Sequence, residues 1–125
     1  MIINLTGEDI RVYGPDAPDV ITDDVLHTGC TVIAAEAELP PAHLGFESVD
    51  LDEPRTTLHG GQRLEIHLVR YLVRDLPAYR PGTYLLVDPA IGACVRGRAD
   101  LLVPLDQVHD ATGAPVGYRY LVSPC

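Results

Sequence analysis

The sequence contains no lysine and no tryptophan, and it has only one methionine and one phenylalanine. All nine basic residues are arginine, against eighteen aspartate and glutamate residues, so the formal net charge is −9. Because arginine codons are rich in G and C, the missing lysine indicates a GC-rich genome, with halophilic acidity as the alternative explanation. So acidic a surface repels nucleic-acid phosphates, which proteins bind through lysine and arginine. The charge therefore disfavours direct binding to DNA or RNA.

Long apolar stretches are also missing from the sequence. No run approaches the roughly 20 residues that a membrane-spanning helix needs, and Met1-Ile2-Ile3-Asn4 does not begin a recognisable signal peptide. The cysteines Cys30, Cys94 and Cys125 are odd in number and do not indicate a disulfide framework. We therefore predict a cytoplasmic protein with free thiols and no membrane association.

What the chain does have is the composition of a globular domain. Its 125 residues are 46% hydrophobic and 22% charged, which suits a single domain over residues 1–125. Eleven glycines and eleven prolines are typical of short strands joined by turns. We predict a mainly β fold with one short α-helix, arranged as a small antiparallel barrel or sandwich.

Local patterns place the individual strands. β-branched and alternating stretches predict strands, and turn-forming residues between them predict a hairpin at each end of the sequence. The first hairpin joins residues 2–5 to 10–13, and the last joins 108–110 to 116–122. Further strands are predicted at 30–34, 47–52, 63–72, 83–87 and 100–104, of which 83–87 is expected to be central.

The segment 63–72 has the clearest alternation of apolar and polar residues. The alternation predicts that Leu64, Ile66 and Leu68 face inward, because successive side chains of a strand point to opposite faces. The pattern slips at Val69, which predicts a bulge or a second packing layer.

Two segments have helical features. Residues 89–96 form the better candidate, because Asp88 suits the N-cap and Pro89 suits the first helical position. The apolar spacing of this helix places Cys94 on its buried face. Residues 35–39 fit either a continuation of the preceding strand or a short helix, since alanine and glutamate favour helices as well.

Several short motifs of this chain carry a resemblance. They are Asn4-Leu5-Thr6-Gly7, Leu76-Pro77 with Pro81-Gly82-Thr83-Tyr84-Leu85-Leu86-Val87, Arg98-Ala99-Asp100-Leu101-Leu102-Val103-Pro104, and Val108-His109-Asp110 followed by Gly113, Gly117 and Arg119. In these motifs the chain resembles a family of small uncharacterised proteins from actinobacteria and their phages. The resemblance lies mostly beyond residue 76 and leaves out residues 35–62. It implies a GC-rich actinobacterial or phage source and a short helix after Val87, but no particular activity.

Motifs for catalysis and for metal binding are missing. The sequence has no GxSxG, GxGxxG or Walker-type loop, and its five histidines form no HxxxH pair and no zinc-like spacing with cysteine. Glu65 and His67 share a strand face and would offer two metal ligands, although a solvated polar face is the simpler interpretation. A nucleophilic Cys94 would need a base such as His67 or His109, and its predicted burial favours a core residue instead. We assign no catalytic residue, no metal and no cofactor.

Arginine and tyrosine side chains provide the candidate binding site. Guanidinium groups bind phosphate or carboxylate through paired hydrogen bonds, and tyrosine rings offer faces for a base. The candidate site consists of Arg80, Tyr84, Arg96, Arg98, Asp100, Tyr118 and Arg119. The structural alternative is that Arg96 caps the helix end and that Arg98 pairs with Asp100 or Asp110.

The sequence therefore favours a protein that is not an enzyme. The first function is a phage or mobile-element protein that binds a small phosphorylated ligand and sequesters a nucleotide signal of host defence. The alternative is an acidic protein-interaction module or inhibitor that mimics nucleic acid and acts on a host protein. The second alternative is a small enzyme that uses Cys94 or a histidine. A homodimer that buries Tyr118 and Tyr120 is also predicted, because a small β domain leaves strand edges to protect.

Overall fold

The structure is a computed structural model that describes residues 1–49 and 55–124. The predicted fold class is confirmed: the described chain is mainly β with one short helix, and its main sheet nearly closes into a barrel. Among the described residues, no helix is both long and apolar enough to cross a membrane. In chain order the elements are β1 (Ile2–Asn4), β2 (Ile10–Val12), β3 (Val20–Ile21), β4 (Thr31–Ile33), β5 (His43–Ser48), β6 (Arg55–His59), β7 (Gln62–Ile66), β8 (Val69–Arg74), β9 (Tyr84–Leu86), α1 (Pro89–Cys94), β10 (Leu101–Asp110) and β11 (Pro115–Val122).

The main sheet has the strand order β1-β9-β10-β11-β2-β4, and β3 also pairs with β10. Antiparallel pairs join β10 to β11 and β2 to β4, whereas β1–β9, β9–β10, β3–β10 and β2–β11 run parallel. The long strand β10 organises the sheet, because its first residues pair with β9 and its last with β3. Three of the six strand pairs in this sheet, β1–β9, β2–β11 and β3–β10, join segments that are far apart in sequence.

Asn4 joins the two ends of the sheet. Its backbone bridges Ala35, just after β4, and its carbonyl accepts a hydrogen bond from the backbone of Glu36 at 2.9 Å. Its buried side chain donates to the carbonyl of Ile33 at 2.8 Å and to that of Glu8 at 2.7 Å, and its oxygen accepts from Thr6. Each polar atom of this buried amide is thereby satisfied, as burial requires.

The core lies between β9, β10 and the helix. Leu85, Val87, Ile91 and Leu101 are almost fully buried there, together with Leu5 from the N-terminal segment. The prediction of a central strand at 83–87 is thus confirmed, since β9 pairs with β1 on one side and with β10 on the other, and its two leucines are buried. Burial of such aliphatic side chains supplies the main driving force for this fold.

The predicted helix is confirmed, but the orientation of one side chain was wrong. The helix begins at Pro89 after Asp88, whose extended backbone suits an N-cap although its side chain makes no capping hydrogen bond. Ile91 and Gly92 face the core, and a Cβ atom on Gly92 would lie 2.6 Å from a methyl group of Val103. Cys94, the last residue of the helix, is exposed instead of buried, because the helix buries only Ile91 and Gly92 in its middle.

The predicted opening hairpin is wrong. Residues 2–4 pair with β9 in parallel, and residues 10–12 pair with β4 and β11. The turn between them exists, with Gly7 at a φ of 86°, but Asn4 holds it through Glu8 and Thr6. The sequence therefore predicted the turn correctly, but β1 and β2 pair with strands from other parts of the chain instead of with each other.

Other strand predictions hold in part. Residues 31–33 form β4, but 35–39 form neither a further strand nor a helix and contribute only the bridge at Ala35. The predicted strand 47–52 begins earlier, as β5 from His43 to Ser48, and residues 50–52 lie outside the described residues, as does Cys125. The closing hairpin is confirmed, and the strand predicted at 100–104 extends to Asp110 to form it.

The alternating segment 63–72 belongs to two strands of two separate ribbons. β7 pairs with β6 around a turn at Gly60 and Gly61, and β8 pairs with β5. The break falls at residues 67–68, next to the predicted slip at Val69. The inward orientation of Leu64, Ile66 and Leu68 was wrong, because all three are exposed.

Candidate functional site

The predicted site residues lie in different parts of the molecule. Arg80, Tyr84, Arg98 and Asp100 lie around the loop that precedes β9 and the start of β10. Tyr118 and Arg119 lie on β11, where Arg119 contacts Asp106. From Leu101 to Asp106, β10 runs for about 16 Å at the usual rise per residue. The seven side chains therefore do not converge on one pocket.

Arg98 forms a bidentate ion pair with Asp100. Its Nε donates to Oδ1 at 2.8 Å and its Nη2 donates to Oδ2 at 2.7 Å. A third hydrogen bond, of 2.9 Å, runs from Nη2 to the carbonyl of Pro77. Asp100 is only 3% exposed, and the hydrogen bonds from Arg98 hold the pKa of its carboxyl group below the ordinary value. The predicted structural alternative for Arg98 is confirmed with Asp100 as its partner.

The loop 77–83 is folded tightly beside this ion pair. The backbone of Thr83 donates to the carbonyl of Arg80 at 3.2 Å, and Gly82 takes a φ of 79°, which a residue with a side chain rarely adopts. Pro77 and Pro81 fix further backbone angles in the same loop. The ion pair anchors the start of the loop, because Arg98 also donates to the carbonyl of Pro77.

A cavity of about 390 Å³ lies under this loop. Arg80 and Asp100 both line it, together with Ile3, Leu39, Pro77, Ala78, Tyr79, Pro81, Thr83 and Leu85. Its walls are therefore largely apolar, and Arg80 is the lining cation. Its volume falls near the lower end of the about 300–1,000 Å³ that is usual for small-molecule sites.

A smaller cavity of about 150 Å³ adjoins the first. Tyr84 and Asp100 line it, and it shares Tyr79 and Thr83 with the larger cavity. Three of the seven predicted site residues, Arg80, Tyr84 and Asp100, therefore line this pair of cavities, and Arg98 holds one of them in place.

Arg119 serves a different part of the fold. Its guanidinium donates to Asp19 at 2.5 Å, to Asp106 at 2.9 Å and to the carbonyl of Ala17 at 2.9 Å. These contacts tie the loop before β3 to the middle of the closing hairpin. Because all three acceptors come from the protein, the contacts of Arg119 describe a structural cross-link.

The remaining predicted residues stand apart from the cavity pair. Arg96 is exposed in the segment after the helix, and the helix has no basic residue in its last turn. Tyr118 lines a separate cavity of about 300 Å³ with Glu8, Asp9 and Arg11, where two carboxylates outnumber the one cation and disfavour an anionic ligand. Tyr120 is 37% exposed.

Sequence reasoning missed part of the cavity. Tyr79 and Thr83 lie in the same proline-rich loop as Arg80, and a local reading of that loop would have included them. Ile3 and Leu39 come from segments far away in the sequence. Only the parallel pairing of β1 with β9 brings Ile3 to this place, and no local signal announces that pairing.

The structure gives little support to metal binding or to nucleophilic catalysis. Glu65 and His67 are in contact at 3.2 Å, but both side chains are largely exposed. Within residues 1–49 and 55–124, no three or more His, Cys, Asp or Glu side chains group together as they would around a metal ion. Cys94 is exposed at the end of a six-residue helix.

Comparison of the chain with protein-family models, with curated proteins and with solved structures found no match. The resemblance to the actinobacterial and phage family therefore stays a prediction from sequence.

Proposed function

We propose that this chain is a non-enzymatic binding protein that holds a small phosphorylated ligand in the cavity under residues 77–83. The observation that carries the proposal is a largely apolar cavity of about 390 Å³ with the guanidinium-bearing Arg80 in its lining. A cytoplasmic location and the sequestration of a nucleotide signal of host defence belong to the same proposal and come from the sequence.

The electrostatics of the cavity favour an anion. Asp100 also lines the cavity, but the bidentate contact with Arg98 offsets its charge. Arg80 then leaves the lining with a net positive charge in a chain whose overall charge is −9. A phosphate group is a strong acceptor for a guanidinium, because the phosphate oxygens match the planar, paired N–H donors of the guanidinium.

The walls of the cavity suit a flat apolar body next to the anionic group. Tyr79 offers an aromatic ring, and Ile3, Pro77 and Leu85 supply apolar surface. The lining residues that the structure describes include no histidine and no cysteine to act as base or nucleophile. These features support binding without chemistry, and a nucleoside monophosphate is the simplest molecule that combines the two parts.

Calorimetric titration with a set of nucleoside 5′-monophosphates and with inorganic phosphate tests this proposal. We expect one of the nucleotides to bind and to raise the melting temperature, since a ligand that binds only the folded state stabilises it. Arg80→Ala should weaken that binding about 10- to 100-fold, the range that one charged hydrogen bond provides.

The matched control is Arg96→Ala, which removes the same side chain from an exposed position outside the cavity lining. It should bind the nucleotide as the unchanged protein does. Either equal losses in the two variants or no binding to any nucleotide would refute the cavity as a phosphate site.

A further inference from the structure

Two ribbons extend from the body of the molecule as an arm. We define the arm as strands β5 to β8 with their described connections, residues 43–48 and 55–74. In the outer ribbon, β6 and β7 pair with each other, and all ten of their residues are exposed. An isolated two-stranded hairpin is marginally stable in water unless it packs against something else. Within the part of the chain that the structure describes, no other element covers the outer ribbon.

The register of the outer ribbon places two of its three apolar side chains on one face, with Leu58 on the other. Ile66 lies opposite Arg55, and Leu64 lies opposite Thr57. Because side chains alternate along a strand, these four residues share a face, which we call the Leu64 face. Glu65, the one carboxylate of β6 and β7, belongs to the opposite face. The Leu64 face thus combines two exposed aliphatic side chains with a cation.

The apolar face of the inner ribbon is covered at one end and exposed at the other. Leu44 and Val73 lie opposite each other and pack against the core. Phe46 and Tyr71 form the next pair on that face, and they are 68% and 61% exposed. The apolar surface of this ribbon therefore continues past the edge of the core into solvent.

The total surface of the chain is larger than a compact monomer needs. A folded chain of 13.6 kDa exposes about 6,600 Å² by the usual scaling with mass, whereas this chain exposes 8615 Å². The excess of about 2,000 Å² exceeds the about 800 Å² per partner of a standard interface. The chain as a whole therefore exposes enough surface for a standard dimer interface, and all ten residues of β6 and β7 contribute to that exposed surface.

Charge identifies the partner. The strands of the arm carry four arginines, Arg55, Arg63, Arg70 and Arg74, against two carboxylates, Glu47 and Glu65. Residues 1–42 and 75–125 carry five arginines against thirteen carboxylates, and residues 49–54 carry three more carboxylates. Because residues 49–54 join β5 to β6, the stretch 43–74 as a whole has four arginines against five carboxylates, and the positive charge belongs to the Leu64 face, which carries Arg55 and no carboxylate. This cationic, apolar face complements an acidic body, and a second copy of this chain supplies that body.

We propose that the arm docks on a second copy of this chain, with the Leu64 face buried in the interface, so that the protein is a homodimer. Two identical arms each meeting the partner's body form an isologous contact that closes on itself. The proposal uses no residue of the cavity.

Sedimentation equilibrium of the full chain over a range of concentrations tests the dimer. We expect twice the mass of 13.6 kDa, with an affinity that falls as the salt concentration rises from 50 to about 500 mM, because salt screens the charge contribution. Leu64→Ser combined with Ile66→Ser should weaken association at least about 100-fold, given the apolar area that the two side chains bury.

The matched control is Leu58→Ser on the opposite face of the same ribbon, where Leu58 is 69% exposed. This variant should still dimerise. A monomeric mass of the unchanged chain at every concentration overturns the proposal and leaves the arm to a different protein. Equal weakening by Leu58→Ser overturns the assignment of the Leu64 face. Because the monomeric variant keeps the cavity, nucleotide titration on it separates this proposal from the proposed function.

Discussion

At the scale of single residues, the ion pair of Arg98 and Asp100 links a predicted binding motif to the stability of the fold. The sequence suggested that Arg98 holds a ligand, and the structure shows that it holds a buried carboxylate and the carbonyl of Pro77. Removing one partner of a buried pair leaves the other charge without compensation.

Arg98→Ala should therefore destabilise the protein at neutral pH. Loss of one partner of a buried pair costs about 3–5 kcal/mol in general, and we expect about 3 kcal/mol here because the side chain of Arg98 is itself 22% exposed. Urea unfolding at pH 7 measures the loss. Arg96→Ala, at an exposed position, should change the free energy of unfolding by less than about 0.5 kcal/mol.

The same pair predicts a pH dependence with a definite sign. The folded pKa of Asp100 lies below its ordinary value because Arg98 donates hydrogen bonds to the carboxylate. The stability from this group is thus present above the unfolded pKa of about 3.9 and is lost as the pH falls through the folded pKa. The difference between the unchanged protein and Arg98→Ala should shrink between pH 5 and 2.5, and a constant difference would contradict the assignment.

At the scale of elements, Gly117 shows how closely β11 approaches β2. A Cβ atom at this position would lie 2.6 Å from the carbonyl oxygen of Arg11 and 2.7 Å from the ring of Tyr13. Because one of these atoms belongs to the backbone, the parallel pair of strands cannot accept a methyl group without moving apart.

Gly117→Ala should therefore lower the free energy of unfolding by about 1–3 kcal/mol, the usual cost of overpacking. Gly45→Ala in β5 is the matched control, since its Cβ atom would meet the flexible side chain of Arg74 at 3.3 Å. We expect the control to stay within about 0.5 kcal/mol of the unchanged protein. Thermal unfolding of the two variants under the same conditions measures the difference. Equal melting temperatures would contradict the close approach of β11 to β2.

Elements with strong local signals were predictable from sequence. The helix at Pro89 has a proline at its first position, and the closing hairpin has its own turn, in which Asp110 accepts hydrogen bonds from the backbones of Thr112 and Ala114. The pairing of β1 with β9 and that of β2 with β11 were not predictable, because these partners lie about 80 to 110 residues away along the chain. The orientation of the apolar side chains in the arm was predicted wrongly for a different reason. Alternation indicates a strand with an apolar face, but it does not indicate whether the rest of the domain covers that face.

The same division holds for the site. Arg80 and Tyr84 were found by residue type, and Asp100 was found because it lies beside Arg96 and Arg98 in the sequence; all three line the cavities. Arg119 was assigned to the same site because residue type alone does not distinguish a guanidinium that binds a ligand from one that binds Asp19 and Asp106. The acidic interaction module that acts on a host protein stays a prediction.

At the scale of the whole molecule, Asn4 decides whether the main sheet closes. Its backbone bridges Ala35 and its side chain donates to Ile33, so one residue connects the strands at opposite ends of the sheet. Asn4→Ala should cost about 2–4 kcal/mol, since it leaves Thr6 and the carbonyl groups of Glu8 and Ile33 without these hydrogen bonds in a partly buried place.

Denaturant unfolding measures the loss in the free energy of unfolding and shows whether the whole barrel is affected. If Asn4 closes the sheet, the midpoint shifts while the transition stays cooperative, because the entire barrel is destabilised together. Gln107→Ala removes an exposed amide from β10 and should leave the midpoint unchanged. A small effect of Asn4→Ala, similar to that of the control, would show that the sheet closes without this side chain.

The order of strands in the main sheet also determines when the protein can fold during its synthesis. β1 pairs with β9, so Ile2 waits for Tyr84 to leave the ribosome, which takes about 4–16 s at usual rates of translation. β2 waits longer for its partner in β11. During that interval the nascent chain presents unpaired apolar strands, which are prone to aggregate and are the kind of segment that chaperones bind.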